Sequence, residues 1–203
     1  MKTHRVLTHL LACAFCATSL CRLAFAQELP PAPHISGTQP FHASIAGTCT
    51  NKDDFSFTGA PIFNGTSGAY RIACNLLGDS THGQLTFHAL AEEQFATVPC
   101  ALPGGGAGIQ FPLKGFTVAL TFHAQQDQLF LILSSGSECG ALSPPIGFGK
   151  ATFSVAGGTG RFQGASGTMS IAWQDVIVAG SALGGDGFFS GFGGTLDGFV
   201  NLK

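Results

Sequence analysis

The chain has 203 residues, of which 45% are hydrophobic and 10% charged, with 29 glycines, 19 phenylalanines and a formal net charge of −2 at pH 7. This composition excludes a disordered chain, which would combine few apolar residues with a high net charge, and a helical bundle, which would be rich in Ala, Glu, Lys and Leu. Since no basic excess is present to neutralise phosphates, nucleic acid is excluded as a partner.

Residues 1–26 are predicted to form a cleavable secretory signal peptide. Basic residues open this segment, a short and mostly apolar run follows at residues 6–20, and Ala24 and Ala26 supply the small residues of a cleavage site. We therefore expect a secreted or periplasmic protein. A membrane anchor is the weaker alternative, because the run contains polar residues and falls short of the about 20 apolar residues that span a bilayer. A lipoprotein signal ending at Cys13 is a further alternative.

Four cysteines remain after the predicted cleavage, namely Cys49, Cys74, Cys100 and Cys139. An even number of cysteines in an exported chain indicates two disulfides, for which three pairings exist. We favour the sequential pairing of Cys49 with Cys74 and of Cys100 with Cys139. The spacing lacks the C-x₂-C pattern of zinc sites, and an oxidising compartment disfavours thiolate ligands, so no metal is predicted at these cysteines.

Residues 27–40 are predicted to be a Pro-rich flexible leader, and residues 41–203 a single domain. Within that domain, apolar and polar residues alternate with a period of two in several segments. The clearest are residues 84–89, 117–123, 151–155 and 168–173. One face of each is Leu, Phe, Val, Met, Ile or Trp, and the other is Thr, Ser, Ala or His. This alternation is typical of an antiparallel sheet with one face in a core.

A weak internal repeat relates residues 85–89 to residues 120–124. Each copy is predicted to be a strand followed by a polar turn and a return strand. The turns fall at residues 92–94 and at residues 125–128. Two copies are too few for a solenoid, so the repeat favours a meander of hairpins.

His88 and His123 occupy equivalent positions in the two copies, and with Glu92, Glu93 or Asp127 they would have the ligand types of a metal site. The alternation, however, places both imidazoles on the face opposite the Leu and Phe side chains. We therefore expect both histidines at the solvated surface, and we predict neither a metal nor a cofactor.

Residues 129–133, Leu-Phe-Leu-Ile-Leu, are apolar on both faces of the predicted strand. In an antiparallel sheet, the outward apolar face would have to be covered by another element or another subunit. This segment therefore suggests a homo-oligomer.

The most distinctive stretch is rich in glycine and holds Gly157, Gly158, Gly160, Gly164 and Gly167. A phosphate-binding loop would need Gly-Lys-Ser/Thr and a following helix, and neither is present. We predict a structural role instead. The first three glycines allow positive φ in a tight connection, and the last two mark a bend or bulge.

Residues 157–167 resemble the Gly-Gly-x-Gly-x-Phe-x-Gly-Ala-x-Gly segment of the allene oxide cyclase and dirigent barrel superfamily, in particular that of its secreted bacterial members. Residues 123–129 are similar to the family's Ala-x-x-Gly-Asp-x-Leu hairpin, with Gln126 in place of glycine, and residues 187–196 are similar to its last strand pair. The resemblance implies an all-β fold, a single small antiparallel β-barrel of about eight strands that is calycin- or dirigent-like. It also implies trimers, as in many plant members.

Three functions are compatible with these features. The favoured one is an exported, soluble, non-catalytic barrel that binds a small apolar ligand or acts through its surface, because the inward face is rich in Phe and poor in ionisable groups. The resemblance implies a second, an isomerase- or cyclase-like enzyme that steers cyclisation or coupling of an apolar substrate. A buried ionisable group facing the cavity would favour that enzyme, with Arg71 and Glu138 as candidates. The third is an outer-membrane barrel, although stable membrane insertion is not expected without Tyr and Trp girdles.

Overall fold

The structure is a computed structural model that describes residues 36–51, 69–94, 98–180 and 188–203. The predicted signal peptide at residues 1–26 lies outside the described residues, as do residues 27–35 of the predicted leader. Within the described ranges, no helix is long and apolar enough to span a membrane.

The described residues form nine strands and one short 3₁₀ turn at Gly160–Phe162. The strands are β1 (Gly37–Asn51), β2 (Ala69–Ser80), β3 (Gly83–Gln94), β4 (Pro99–Ala101), β5 (Ala107–Phe122), β6 (Gln128–Leu142), β7 (Pro145–Gly158), β8 (Ser166–Gly180) and β9 (Phe188–Leu202).

Eight of these strands close into an antiparallel barrel. Neighbours along the chain pair with each other, β3 pairs with β5, and β9 pairs back to β1, which leaves no free edge in the ring. The extra strand β4 pairs with the start of β5 through three residue pairs. The predicted all-β barrel of about eight strands is therefore confirmed.

Apolar side chains fill the interior of the barrel. The largest fully buried side chains include four phenylalanines, namely Phe87, Phe122, Phe153 and Phe162. Eight strands leave an interior just wide enough for such side chains, so the Phe-rich inner face is a packed core. An outer-membrane barrel has the reverse polarity, with a polar interior and an apolar outer band, so that alternative is not favoured.

The barrel begins earlier than residue 41, the boundary predicted from the sequence. β1 starts at Gly37, which pairs with Leu202 of β9. Pro40 is tolerated because β1 pairs with β2 only from Ala43 onward, so the first residues of β1 have a sheet neighbour on one side only. Residues 37–40 therefore belong to the barrel and not to the predicted leader.

The predicted turn at residues 92–94 is wrong, whereas the turn after residues 120–124 is found. β3 continues through Glu93 to Gln94, because its inward side chains keep their alternation to that point, and it pairs with β2 and β5. β5 ends at Phe122 and β6 starts at Gln128, which leaves the second turn at residues 123–127.

Both cysteine pairs follow the sequential pairing. Cys49 and Cys74 lie opposite each other on β1 and β2, with their Cα atoms 4.1 Å apart. Cys100 joins β4 to Cys139 of β6, with a Cα–Cα distance of 5.9 Å.

The glycine-rich stretch forms the connection between β7 and β8. Gly157, Gly160, Gly164 and Gly167 have positive φ values of 102°, 55°, 70° and 147°. Gly158 does not, but a Cβ there would overlap the carbonyl oxygen of Gln128. These residues thus allow a sharp change of direction and a close approach of two chain segments.

One end of the barrel, which we call the closed end, is plugged by aromatic side chains around the β2–β3 turn. The His82 ring stacks on Phe41 at 5.5 Å between centroids and meets the edges of Phe122 and Phe162 at 6.4 and 6.1 Å. Arg161 lies over the Phe122 ring and donates a hydrogen bond to the His82 carbonyl oxygen at 3.1 Å. The opposite end of the barrel carries carboxyl groups instead.

Candidate functional site

Three carboxyl groups point into the barrel at the end opposite His82, which we call the acidic end. They belong to Glu93 of β3, Glu138 of β6 and Asp175 of β8. Glu93 is 2% exposed and Glu138 9% exposed. Ionisable groups buried to this degree are uncommon in a core and require a specific environment.

Glu138 faces inward because β6 carries a bulge. Leu133 pairs with Phe153, but Ser135 already pairs with Thr152, so β6 has one extra residue between them. Successive side chains alternate between faces, and an extra residue therefore exchanges the inner and outer positions of the rest of the strand. Without the bulge, Glu138 would lie on the outer face.

Two glycines of β7 allow side chains from β6 and β8 to meet above it. Glu138 pairs in register with Gly149, which pairs in turn with Trp173 of β8. In the next inward row, Gly147 pairs with Asp175. A Cβ on Gly149 would overlap the indole ring, and a Cβ on Gly147 would overlap both carboxyl groups. The absence of these two side chains therefore creates the space for the site.

The Glu138 carboxyl group contacts two partners across β7. The indole N–H of Trp173 donates a hydrogen bond to Glu138 Oε2 at 2.9 Å. Glu138 Oε1 and Asp175 Oδ1 both lie over Gly147, where a proton held by one carboxyl group can be shared with the other. Asp175 Oδ1 is buried and has no other hydrogen-bond partner.

Both carboxyl groups hold their protons more tightly than in water. Burial raises the pKa of Glu138 well above its usual value, and the charges of Glu93 and Asp175 raise it further. Burial raises the pKa of Asp175 to about 6, against the opposing effect of the hydrogen bond from Glu138. When the pair holds one proton, it presents a donor beside an acceptor, and burial favours the proton on Glu138.

A small cavity of about 30 Å³ lies beside these groups. Its apolar lining comes from Ile72, Phe111, Ile177 and Phe188. A volume of this size matches the share of one water molecule in the liquid, about 30 Å³. The cavity thus admits an oxygen-sized group, but not the body of a ligand.

Of the two candidate site residues from the sequence, the structure places Glu138 in the cavity and Arg71 outside it. Arg71 is buried, but its neighbour Ile72 lines the cavity, so the guanidinium lies on the other face of β2. There its Nε is 3.5 Å from Glu92 Oε2. Arg71 therefore does not face the cavity, and of the two candidates Glu138 alone lines it.

His88 and His123 are both exposed, as their alternation predicts. His88 Nδ1 lies 2.6 Å from Asn75 Oδ1, and His123 Nε2 lies 2.7 Å from Thr86 Oγ1. The described residues contain no group of three or more His, Cys, Asp and Glu side chains arranged to hold a metal ion.

Sequence reasoning missed Trp173 and Asp175 as site residues, and it considered Glu93 only as a possible metal ligand at a turn. A signal for them was present, because Glu93 continues the inward alternation of β3, and Asp175 continues the alternation that includes Trp173. A carboxyl group at an inward position, at the end of a row of apolar residues, would have indicated the site.

The acidic end predicts an unusual pH dependence of folding. The unfolded chain releases the Asp175 proton near 3.8, but the folded chain holds it up to about 6. Between these values the folded state binds more protons, so the free energy of unfolding falls as the pH rises. We expect a loss of about 2 kcal/mol from Asp175, after allowance for its partial exposure.

Urea denaturation between pH 4 and pH 7 measures this effect as the difference between wild type and Asp175→Asn. Asp79→Asn, which removes an exposed carboxylate of β2, is the control. Burial and the charge of Arg161 lower the pKa of His82, whose protonation destabilises the protein as the pH falls. Because that effect is common to all variants, it cancels in the difference. The prediction is wrong if the difference in free energy of unfolding between wild type and Asp175→Asn does not change with pH.

The strand pairing and the carboxyl pair define the chain as a closed antiparallel β-barrel with a polar site at one end. No protein-family model and no curated protein matches the chain. Among solved structures, it is similar to a pterocarpan synthase dirigent protein, with 11% sequence identity and a TM-score of 0.32, over 80% of this chain and 84% of that chain. Residues 157–167 resemble the same dirigent group. The barrel itself is established by its own strand pairing, and function is argued below from the site.

Proposed function

We propose that the protein is an exported barrel that binds a small, mostly apolar molecule at the acidic end, where Glu138 and Asp175 hold an oxygen atom of that molecule. The observation that carries this proposal is the meeting of two carboxyl groups and an indole N–H inside a barrel whose described core is mostly apolar. Burying such groups is unfavourable unless they are paired, and perturbed carboxyl groups cluster at functional sites.

The chemistry of the pair supports a neutral ligand. Protonated Glu138 donates a hydrogen bond and ionised Asp175 accepts one, so together they suit a hydroxyl oxygen, and Glu138 alone suits a carbonyl oxygen. The negative charge of the cluster, to which Glu93 belongs, disfavours carboxylates and phosphates. The cavity admits the oxygen, and the apolar part of the ligand would rest against Phe111 and Phe188.

The packed interior supports a site at the end of the barrel rather than in its centre. Phe87, Phe122 and Phe153 are fully buried in the core. Close-packed interiors have few voids larger than a water molecule, so an apolar ligand in the centre would have to displace these side chains.

Fluorescence of Trp173 tests the proposal, because it is the single tryptophan of the chain and contacts Glu138. We expect 1-octanol to change the emission at pH 7.5 with an affinity at least about tenfold higher than octanoate, which is about 1.4 kcal/mol. Glu138→Met should weaken octanol binding about tenfold by removing the donor. Ser137→Ala, the matched control on the outer face of the same strand, should bind as wild type does.

A second variant keeps the test informative if Glu138→Met does not fold. Glu138→Gln combined with Asp175→Asn retains polar groups of similar shape but removes the charge, so octanoate should bind as well as octanol. The proposal fails if wild type binds octanoate as tightly as octanol, or if Glu138→Met and Ser137→Ala have the same affinity.

The same pair favours a second candidate function, acid catalysis by an isomerase- or cyclase-like enzyme. A carboxylic acid whose pKa is raised by burial in an apolar site is suited to donate a proton to a bound oxygen. Native mass spectrometry of protein purified from its own source would identify a co-purifying molecule. Incubation of that molecule with wild type, and not with Glu138→Gln, should convert it to an isomer if the protein is an enzyme. If the molecule is recovered unchanged from wild type and from the variant, the result supports binding without catalysis.

We further propose that the protein is exported and forms homo-oligomers. Two disulfides support an oxidising compartment.

Leu90 and Ile132 are 44% and 51% exposed and flank Thr117 on the outer face, where β3, β5 and β6 are adjacent. Light scattering coupled to size exclusion tests the oligomer, and Ile132→Lys should shift the mass to that of a monomer. A monomeric wild type would contradict this part.

A further inference from the structure

We infer that Trp173 is a positioning residue, whose indole N–H orients the Glu138 carboxyl group so that the shared proton lies on Oε1, between Glu138 and Asp175. The inference deepens the proposed function, on which its consequence for a ligand rests. Its test below uses no ligand.

The hydrogen-bonding chemistry of the indole favours one oxygen of Glu138 as the carrier of the proton. The indole nitrogen has a donor and no acceptor capacity. It donates to Glu138 Oε2 at 2.9 Å, so Oε2 presents a lone pair in this arrangement. The carbonyl oxygen of a carboxylic acid is a better acceptor than its hydroxyl oxygen, so this hydrogen bond favours the protonated form of Glu138 that carries its proton on Oε1. Oε1 is the oxygen that lies over Gly147 beside Asp175 Oδ1.

The indole is held in this orientation by its surroundings. Trp173 pairs with Gly149 on one side and Gly194 on the other. A Cβ on Gly149 would overlap the indole, and a Cβ on Gly194 would overlap the Ala172 carbonyl oxygen and press on the Trp173 Cβ. Phe192 stacks on the indole at 6.0 Å between ring centroids, and Phe116 meets it edge-on at 6.2 Å. A side chain packed against strands on both sides loses its rotational freedom and can fix a partner's geometry.

The charges around Glu138 come from two strands. Glu93 of β3 and Asp175 of β8 line the same cavity, and both raise the pKa of Glu138, after burial as the largest cause. The hydrogen bond from Trp173 acts in the opposite direction. Arg71 and Glu92 pair with each other on the outer face of the neighbouring strands. Removing the indole N–H should therefore move the Glu138 titration in one direction, upward.

This orientation has a consequence for binding. With Oε2 occupied by the indole, the donor oxygen and the Asp175 acceptor both lie beside the cavity. A ligand oxygen that enters can then accept a hydrogen bond from one carboxyl group and donate one to the other. Without the indole, the Glu138 carboxyl could rotate, and its proton could occupy either oxygen.

Carboxyl ¹³C NMR of Glu- and Asp-labelled protein, titrated with pH in the absence of any ligand, tests the inference. In Trp173→Phe, we expect the Glu138 midpoint to rise by about 0.5–1 pH unit, the equivalent of one lost hydrogen bond. Phe192→Leu, which loosens the packing of the indole but keeps its N–H, should shift the midpoint by clearly less than Trp173→Phe does. The single indole N–H resonance of wild type should move together with the carboxyl titration.

An unchanged or lower Glu138 midpoint in Trp173→Phe overturns the inference, and so does an equal shift in Phe192→Leu. If Trp173→Phe does not fold, replacement of Trp173 by benzothienylalanine, which keeps the shape of the ring system but lacks the N–H, gives the same comparison. Failure of this titration experiment is distinguishable from failure of octanol binding, because each can succeed without the other.

Discussion

Replacing Gly149 with alanine is expected to lower the free energy of unfolding by about 2–6 kcal/mol. The new Cβ would overlap the Trp173 indole, which lies directly above Gly149. The indole must then move, and two effects add. Overpacking of a core costs about 1–3 kcal/mol. Loss of the Trp173 donor leaves a buried carboxyl group without that partner, which costs a further 1–3 kcal/mol or so. Urea denaturation measures the loss, and the Trp173 emission should shift to longer wavelength.

Gly193→Ala is the matched control for this variant. Gly193 also lies within a barrel strand, but a Cβ there would meet nothing within 4 Å. Alanine is favoured over glycine in a strand interior by roughly 0.5–1 kcal/mol, so stability should stay equal or rise slightly. If Gly149→Ala unfolds at the same urea concentration as Gly193→Ala, the account of how β7 makes space for the indole is wrong.

Removal of the Cys49–Cys74 disulfide is the second large effect. In Cys49→Ala combined with Cys74→Ala, the unfolded chain regains the freedom of a closed loop with a sequence separation of 25 residues. The loop-closure relation gives a loss of about 3–4 kcal/mol. Both cysteines are also buried in the core, at 2% and 5% exposure, and their sulfur atoms leave space that the surrounding side chains must fill. Urea denaturation under oxidising conditions measures the loss.

The Cys100–Cys139 disulfide provides a comparison with a longer separation, 39 residues, and a smaller expected effect. β4 pairs with β5 through three residue pairs. Without the disulfide, this short strand can detach while the barrel remains folded, so the folded state gains freedom as well as the unfolded state. Cleavage by protease near residues 98–106 should increase in Cys100→Ala combined with Cys139→Ala. A larger loss of stability here than for Cys49–Cys74 would contradict this reasoning.

Much of the fold was predictable because side-chain alternation reports directly on which face of a strand is buried. The segments at residues 84–89 and 117–123 are strands with their Leu and Phe side chains inward, and His88 and His123 lie outside as expected. The same rule, followed further along β3, would have placed Glu93 inside. The polar residues at 92–94 suggested a turn, and burial within the sheet overrode that local preference.

The site was only partly predictable, for a reason that Glu138 illustrates. The inward residues Leu129 and Leu131 lie on the opposite face of a regular strand from Glu138, so alternation alone places this carboxyl outside. The bulge after Leu133 reverses that placement. Ser134 and Ser135 carry no sequence signal of a bulge. Pairing with the partner strand, and not the chemistry of these two residues, decides where the extra residue of β6 lies.

By itself, the amino-acid sequence determined the class of fold and the inward faces of β3, β5, β7 and β8. These properties depend on residue type at a spacing of two, which is visible along the chain. Only the tertiary structure decided that Glu138, Trp173 and Asp175 meet, because this depends on the register that puts Gly147 and Gly149 beneath them. A hydrogen bond between residues 35 positions apart requires atoms to be placed within a few tenths of an ångström, and strand pairing, not local sequence, fixes that distance.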